Sequence, residues 1–242
     1  MPTETLNHPK TRKFFRHGHY IGKFALLCGL ALPLPAAAQE KLAEDPTKVV
    51  TRIGAQYSDE LTISGSLAFG PATKINARVS ESGQWSLGGS YLFSFGIVNV
   101  AAGKNEFDNG SVQTRYSIGS FIPLSALGLK TGTWQVFTAF GYGYTEGNVA
   151  SFDLDISEYV LVPISSNSGY LGLFAIKPLN EKLTFMTVGL GTKGSDDYSG
   201  YSVGAGLSYH LSDRDTVSAF ATYVDNTFGE EEKLTIGYRR EF

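Results

Sequence analysis

Apolar and polar residues alternate with a period of two along most of the chain after residue 48. The clearest stretch is 201–210, where Tyr201, Val203 and Leu207 share the odd positions and the even positions hold Ser, Gly or His. Alternate side chains of a β-strand point to opposite faces. No segment repeats apolar residues at helical spacing over three turns. The pattern therefore predicts an all-β protein.

The polar face of these strands consists mainly of Gly, Ser, Ala and Thr. A soluble sandwich would turn this face to water and would carry larger polar residues there. Small residues instead suit the crowded interior of a barrel, and aromatic residues at the ends of apolar strands suit the two interfaces of a membrane. We therefore expect a transmembrane, up-and-down antiparallel β-barrel, with a secreted β-sandwich as the alternative.

The sequence defines the number of strands less precisely than it defines the fold class. The predicted strands are 49–57, 61–69, 74–80, 85–103, 112–122, 133–145, 168–177, 183–193, 201–210, 216–224 and 233–242. Because 85–103 is about twice the length of one span, it is either one long strand or two that join near Ser94-Phe95-Gly96. We expect ten or twelve strands, with eight also possible, since single-chain bacterial barrels have even numbers. The apolar run 159–164 breaks this parity, so we assign it to a long outer loop over 146–167.

The N-terminal region has the features of an export signal. A basic leader is followed by the apolar run 24–32 and by small residues at 36–38; its bases are Lys10, Arg12, Lys13, Arg16 and Lys23. The run is too short to cross a bilayer permanently, which needs about 20 residues. We predict a cleavable signal peptide over 1–38, a periplasmic segment over 39–48 and a barrel over 49–242. A short membrane anchor and lipidation at Cys28 are the alternatives.

The connections predict how the barrel is oriented. Short segments at 178–182 and 211–215 alternate with longer, more acidic ones at 194–200 and 225–232. Membrane barrels have short periplasmic turns and long external loops. We therefore place the protein in the outer membrane of a Gram-negative bacterium.

The final strand carries a resemblance to a known group. Leu234, Ile236, Tyr238 and Phe242 fall on one face, and the chain stops at Phe242. This resembles the C-terminal strand of Gram-negative outer-membrane β-barrel proteins, whose last residue is usually Phe. The resemblance implies that the barrel-assembly machinery recognises this strand. Arg240 departs from the pattern, although a long cation can extend toward lipid headgroups.

Composition excludes several other classes. With a single Cys, the chain has neither a disulfide framework nor a zinc site of several thiolates. A net charge of −3 lacks the basic character of nucleic-acid binding proteins. We expect a monomer without a cofactor, in contact with outer-membrane lipid and lipopolysaccharide.

Several charged and amide side chains are predicted to face the lumen. Our lumen-lining candidates are Arg78, Arg115, Gln113, Gln135 and Arg239, and the same phase adds Arg52, Lys74, Lys193 and Glu241. A base-rich lining favours anions if a passage is open, or else forms a salt-bridged plug. Barrels of about ten strands fill their own interiors, whereas open porins have about 16 to 18 strands. We expect a closed or barely conducting barrel.

The sequence gives little support to the hypothesis that the protein is an enzyme. His210-Leu211-Ser212 matches the His-x-Ser letters of lipid-cleaving barrels, in which His is the base and Ser the nucleophile. The pair lies at a predicted periplasmic turn, opposite the outer-leaflet substrate of such enzymes. We therefore predict no enzyme, and interpret His210 as a residue at the end of the lumen.

These observations leave a structural or passive-permeation role, similar to that of porins, as the predicted function. The main alternative is surface recognition or adhesion through the acidic loops, whose carboxylates could also share divalent cations with lipopolysaccharide. A lipid-modifying enzyme is the third hypothesis.

Overall fold

A computed structural model describes residues 41–153 and 158–242, which form twelve β-strands and one short 3₁₀ helix. The strands are β1 (Arg52–Tyr57), β2 (Leu61–Phe69), β3 (Thr73–Ser80), β4 (Trp85–Phe93), β5 (Gly96–Glu106), β6 (Val112–Pro123), β7 (Gln135–Asp153), β8 (Glu158–Pro178), β9 (Leu183–Gly194), β10 (Ser199–His210), β11 (Asp215–Asn226) and β12 (Gly229–Glu241). The 3₁₀ helix, Leu124–Leu127, lies between β6 and β7. None of the helical structure in these ranges is long and apolar enough to cross a membrane. The predicted signal peptide, 1–38, lies outside the described residues.

The sheet closes on itself because β1 pairs with β12. Arg52 lies opposite Glu241 in this antiparallel register, and Tyr57 lies opposite Ile236. Each remaining strand pairs with its neighbours in sequence, so the connections run up and down around a closed barrel. Closure pairs the two edges that an open sheet would leave exposed. The predicted antiparallel barrel is confirmed with twelve strands, and the counts of eight and ten are wrong.

The ambiguous stretch 85–103 is two strands. β4 ends at Phe93 and β5 begins at Gly96, so Ser94 and Phe95 form the turn between them. Phe93 lies opposite Gly96, and the pairing continues to Trp85 and Lys104. Dividing this stretch in two turns the eleven predicted ranges into twelve strands.

The predicted outer loop over 146–167 is wrong. β7 continues to Asp153 and β8 begins at Glu158, with Gly147 opposite Ile164 and Val149 opposite Val162. The apolar run therefore lengthens an existing hairpin, and the parity of the barrel is unchanged. Pairing of β8 with β9 stops at Ser168 and Gly194. Pro163 thus lies on a free edge, where the missing amide N–H of proline is tolerated.

The barrel has two unlike ends. The terminal end contains the start of β1 and the finish of β12, and the far end contains the hairpin between β7 and β8. β1 to β4 have six to nine residues each, whereas β7 and β8 have 19 and 21. The wall is therefore much taller on the side of β7 and β8.

The alternation of the sequence separates an apolar outer face from a largely polar inner face. Leu234, Ile236 and Tyr238 on β12 are exposed on the outside, whereas the side chains between them point inward. On β10, Tyr209 is exposed while Ser208 is buried. Backbone pairing around the full circle satisfies the polar groups of the wall. The outer face can therefore lie against hydrocarbon without exposing unpaired backbone.

Candidate functional site

The candidate site is the lumen, whose inner wall carries more bases than acids. By register, Arg52, Lys74, Arg78, Arg115, Lys233 and Arg239 point inward together with the acids Glu231 and Glu241. Among the predicted candidates, Arg78 lies between Ser64 and Ser86 on the neighbouring strands, and Gln135 lies opposite the buried Ile176. These positions put positive charge on the wall of the lumen over several strands.

The prediction that Lys193 lines the lumen is wrong. Lys193 lies opposite Gly169 of β8, in the same phase as the outward-facing Leu171. The even positions of β9 face the lumen, among them the buried Met186, so Lys193 at an odd position points outward. A strand with apolar residues on both faces gives no sequence signal of direction.

The N-terminal segment, residues 41–51, lies inside the terminal end of the barrel. Ser66 Oγ donates a hydrogen bond of 2.7 Å to the Val50 carbonyl, and Lys74 Nζ donates one of 2.7 Å to the Lys48 carbonyl. Lys48 Nζ in turn contacts Glu241 Oε2 at 2.7 Å. The segment is therefore held by inward side chains of three different strands. No pattern in the sequence indicated these contacts.

Glu44 of this segment is buried against polar side chains of the wall. Its side chain is 2% exposed, and one carboxylate oxygen accepts hydrogen bonds from Ser208 Oγ and, at 3.3 Å, from an Arg239 guanidinium nitrogen. The other oxygen lies 3.6 Å from His210 Nε2. A buried carboxylate is costly unless it is paired. The wall therefore pairs one oxygen of this buried carboxylate, whereas Oε2 accepts no hydrogen bond from the described residues.

The neighbouring acid, Asp45, is satisfied within the segment itself. Asp45 Oδ1 accepts hydrogen bonds from both the backbone N–H and the hydroxyl of Thr47, each at 2.7 Å. Lys41 Nζ donates to the Thr47 carbonyl at 3.0 Å. Burial lowers the pKa of Lys41, and the negative charge of Asp45 opposes this shift. The segment thus has a fixed local turn that presents Glu44 to the wall.

Three aromatic side chains close the far end. Phe107, Tyr198 and Phe228 come from the β5–β6, β9–β10 and β11–β12 connections and are buried together, and we call them the aromatic cap. The Phe107 and Phe228 rings stack with centroids 6.3 Å apart, and Tyr198 meets Phe228 edge-on at 6.1 Å. Val149 and Ile164, on the tall wall, pack against the cap.

The geometry of the cap shows that it crosses the lumen. The β5–β6 and β11–β12 connections are half of the closed strand order apart, yet Asn109 Nδ2 donates a 2.9 Å hydrogen bond to the Phe228 carbonyl. Gln113, one of the predicted lining residues, donates from Nε2 to the Tyr198 hydroxyl at 3.2 Å. Connections from opposite walls therefore meet over the mouth. The only sequence signal was a single aromatic residue in each polar connection.

Between the two closures, Arg115 and Tyr170 meet in the middle of the lumen. The Arg115 guanidinium lies 5.1 Å from the centroid of the Tyr170 ring, a cation–π distance. Closer to the terminal end, Ile97, Phe137 and Ile176 are inward-facing and buried. Part of the lumen is therefore filled by apolar side chains of β5, β7 and β8.

The structure does not place His210 and Ser212 in a catalytic geometry. Ser212 Oγ donates a 2.7 Å hydrogen bond to Asp215 Oδ2 and accepts the Asp215 N–H at 3.1 Å, which is a local turn arrangement. His210 points inward to Glu44. A nucleophile needs its base within hydrogen-bond reach, and the described contacts place these two side chains on different partners. In the same ranges, no three His, Cys, Asp or Glu residues are grouped to hold a metal ion.

The outer face has aromatic residues near both ends. At the terminal end, Trp134 meets Phe185 edge-on at 6.0 Å, and Lys177 Nζ lies 5.3 Å from the Trp134 ring centroid. Farther along the wall, Tyr201 and Tyr223 lie 5.8 Å apart. Aromatic rings with a polar group suit the two interfaces of a bilayer. The predicted assembly residues Leu234, Ile236, Tyr238 and Phe242 are all exposed.

Comparison with known proteins agrees with this architecture. No family model matches the chain, and no curated protein matches it. Among solved structures, the translocator domain of the autotransporter NalP from Neisseria meningitidis has a TM-score of 0.57 at 12% identity, over 82% of this chain and 90% of that chain. The NanC porin has a TM-score of 0.47 at 12% identity, over 79% of this chain and 98% of that chain. The KdgM porin in complex with disordered oligogalacturonate has a TM-score of 0.44 at 10% identity, over 80% of this chain and 99% of that chain. The likeness to the NalP domain shows that the chain has the fold of a closed antiparallel barrel.

Proposed function

We propose that the protein is an outer-membrane β-barrel that provides a narrow, normally closed passage for small solutes. One observation carries this proposal: the lumen is closed at both ends by segments that are not wall strands. A barrel with a purely structural role needs no separate closures, because inward side chains of the wall can fill a small barrel.

The outer face supports a location in a membrane. Large apolar side chains on most strands point outward and are exposed, and backbone pairing closes the full circle. Such a surface is unfavourable in water and favourable in hydrocarbon. Pairing of β1 with β12 closes the sheet into a circle, which is the main requirement for a sheet that spans a membrane.

The charged inner wall supports a role in permeation. Arg78 is exposed on the inner face of a short strand, and no ion pair is found for it among the described residues. Twelve strands are fewer than the about 16 to 18 of open porins. We therefore propose a passage that is narrow even when both closures are displaced.

Membrane residence is tested by the mobility of the purified chain on a detergent gel, with and without boiling. We expect the unheated barrel to migrate differently from the boiled chain. A processed chain that stays dissolved and folded in buffer without any amphiphile would contradict the membrane location.

Permeation is tested by conductance in a planar lipid bilayer. We expect rare, discrete openings for the wild type. A variant with Phe228→Ala, which removes the central ring of the aromatic cap, should open more often. Silence of the wild type, of this variant and of a variant with Glu44→Gln, all shown to be inserted, would reject the passage and leave a structural role.

A further inference from the structure

We propose that the terminal end of the lumen contains a binding site for small carboxylate solutes, which Glu44 occupies from within the same chain. The site is formed by Ser208, His210 and Arg239, and we call it the Arg239 niche. The proposal rests on the proposed function, because it assigns a solute class to the passage.

The register of three strands explains why these groups converge. His210 and Arg239 both lie opposite Thr216, which separates them on the intervening strand β11. Ser208 likewise lies opposite Ser218, whose other neighbour is Gly237. The side chains of His210 on β10 and Arg239 on β12 thus lie on either side of the smaller Thr216 and Ser218 on β11. The carboxylate of Glu44 lies against these donors.

The chemistry of the niche matches a carboxylate. Arg239 and Ser208 both donate to the same Glu44 oxygen, and His210 Nε2 lies 3.6 Å from the second oxygen. Guanidinium and hydroxyl donors bind carboxylates through charge-assisted hydrogen bonds. Arg239 Nε is buried and has no hydrogen-bond partner in the described part of the chain. The niche therefore has donor capacity beyond what Glu44 uses.

Glu44 is a displaceable occupant because it is not part of the wall. It lies in the N-terminal segment, before the first strand at Arg52, and within the described residues it provides the one ion pair of Arg239. When the segment leaves, Arg239 keeps its charge inside the lumen and loses this partner. The Arg239 side chain is partly buried, with 26% of its surface exposed, and a partly desolvated cation that has lost its partner favours an incoming anion. We infer that a solute carboxylate and Glu44 compete for the same donors.

The contrast with Asp45 identifies Glu44 as the ligand. Asp45 is bonded to Thr47 of its own segment, whereas the Glu44 carboxylate contacts wall donors and, within the described residues, no group of its own segment. Charge alone therefore does not decide which acid fills the niche. Asp45→Asn is accordingly a matched control, since it removes one negative charge from the same segment while the amide oxygen of Asn can still accept the two Thr47 hydrogen bonds that hold the turn.

The experiment measures binding of sodium gluconate to the full chain in detergent micelles by isothermal titration calorimetry, with glucose as the neutral analogue. We expect Glu44→Gln to bind gluconate at least about tenfold more tightly than wild type, since one charge-assisted hydrogen bond corresponds to a factor of that order. Asp45→Asn should match the wild type. Adding Arg239→Gln to Glu44→Gln should abolish the gain. Folding of each variant is checked by its unheated gel mobility, and Glu44→Ala replaces Glu44→Gln if the latter does not fold.

The outcomes separate this inference from the passage itself. Equal gluconate affinity of wild type and Glu44→Gln, or equal binding of glucose and gluconate, would overturn the niche whether or not the barrel conducts. If the binding result holds but every variant is silent in bilayers, the passage fails and the carboxylate site stands. If the variants conduct, gluconate should block Glu44→Gln at lower concentration than Glu44→Gln combined with Arg239→Gln.

Discussion

The side chain of Tyr170 crosses a neighbouring strand and fills the space above Gly119, two strands away. Tyr170 on β8 lies opposite Gly141 on β7, which in turn lies opposite Gly119 on β6. A Cβ atom at Gly141 would lie 2.5 Å from the Tyr170 hydroxyl, and one at Gly119 would lie closer still. The two glycines are therefore required for space. They form the groove in which the ring rests.

This groove predicts that Gly119→Ala destabilises the barrel. The added methyl group would force Tyr170 out of its position over two strands, at a cost of about 1–3 kcal/mol for overpacking. The measurement is the free energy of unfolding in urea, in detergent micelles. Gly189→Ala is the matched control, because nothing lies within 4 Å of a Cβ at that position. Equal stabilities of the two variants would show that the ring does not need the groove.

The aromatic cap predicts a local effect of Phe228→Ala at the far end. Phe228 is 1% exposed and contacts rings from two other connections. Truncation of a buried Phe costs about 3–5 kcal/mol in a protein core. Because Phe228 packs within the aromatic cap, the substitution should destabilise the cap and leave the strands of the barrel intact. We expect faster proteolysis of the β11–β12 connection and little change in the gel mobility of the barrel. Phe69→Ala, at an exposed outer position, should leave proteolysis at the far end unchanged.

The strand pattern could be predicted from the sequence because each strand of a barrel repeats the same two-sided rule. Leu61–Phe69 agrees with the prediction at both ends, and the turn at Ser94 and Phe95 was one of the two alternatives. The rule fails where a strand is apolar on both faces, as in β9. It also fails for the hairpin of β7 and β8, since its upper part stands beyond its neighbours and resembles a loop in composition.

The closures of the lumen could not be predicted for a different physical reason. Glu44 meets Ser208 and Arg239 across more than 160 positions in sequence, and no local pattern encodes such a contact. Phe107 and Phe228 come from opposite walls, so only the closed strand order brings them together. Sequence alternation specifies the wall of a barrel, whereas the contents of its lumen depend on three-dimensional proximity.

The hydrogen bonds of Glu60 predict a pH-dependent contact between the β1–β2 and β3–β4 connections at the far end. Its carboxylate accepts the Ser82 N–H at 2.7 Å and the Gln84 side-chain amide at 3.0 Å. Hydrogen bonding from Ser82 is the main cause that holds the pKa of Glu60 below its ordinary value of 4.5. Because the folded state has the lower pKa, this stabilising contribution is present above pH 4.5 and is lost as the pH falls through the folded value.

The corresponding measurement compares Glu60→Gln with the wild type in urea unfolding at neutral pH and near pH 3. We expect the wild type to be more stable at neutral pH, by less than about 1 kcal/mol because the site is exposed. The difference should shrink at the lower pH. Asp59→Asn, at a neighbouring acid without a described side-chain hydrogen bond, should show no such trend. A difference that is constant with pH would rule out a role for the Glu60 charge.

The last residues of the chain combine an exposed ring with a surface ion pair. Phe242 is 67% exposed, and its backbone N–H donates a 3.0 Å hydrogen bond to the Thr51 carbonyl. Arg240, which departs from the expected apolar pattern, lies 3.3 Å from Asp215 on the adjacent strand. Exposed pairs of this kind contribute about 0–1 kcal/mol. The ring of Phe242 therefore has little to stabilise within the barrel itself.

This arrangement predicts that Phe242→Ala separates assembly from stability. Its unfolding free energy in micelles should change by less than about 1 kcal/mol, because the ring is exposed. In a Gram-negative host, however, the amount of barrel with unheated folded mobility in the outer-membrane fraction should fall several-fold, since the final ring is proposed as part of the assembly signal. Leu211→Ala is the matched control, as this apolar side chain is 55% exposed at the same end of the barrel but lies in a turn outside the last strand. If Phe242→Ala accumulated in the membrane as well as Leu211→Ala, the final ring would have no role in assembly, and recognition would have to rest on Leu234, Ile236 and Tyr238.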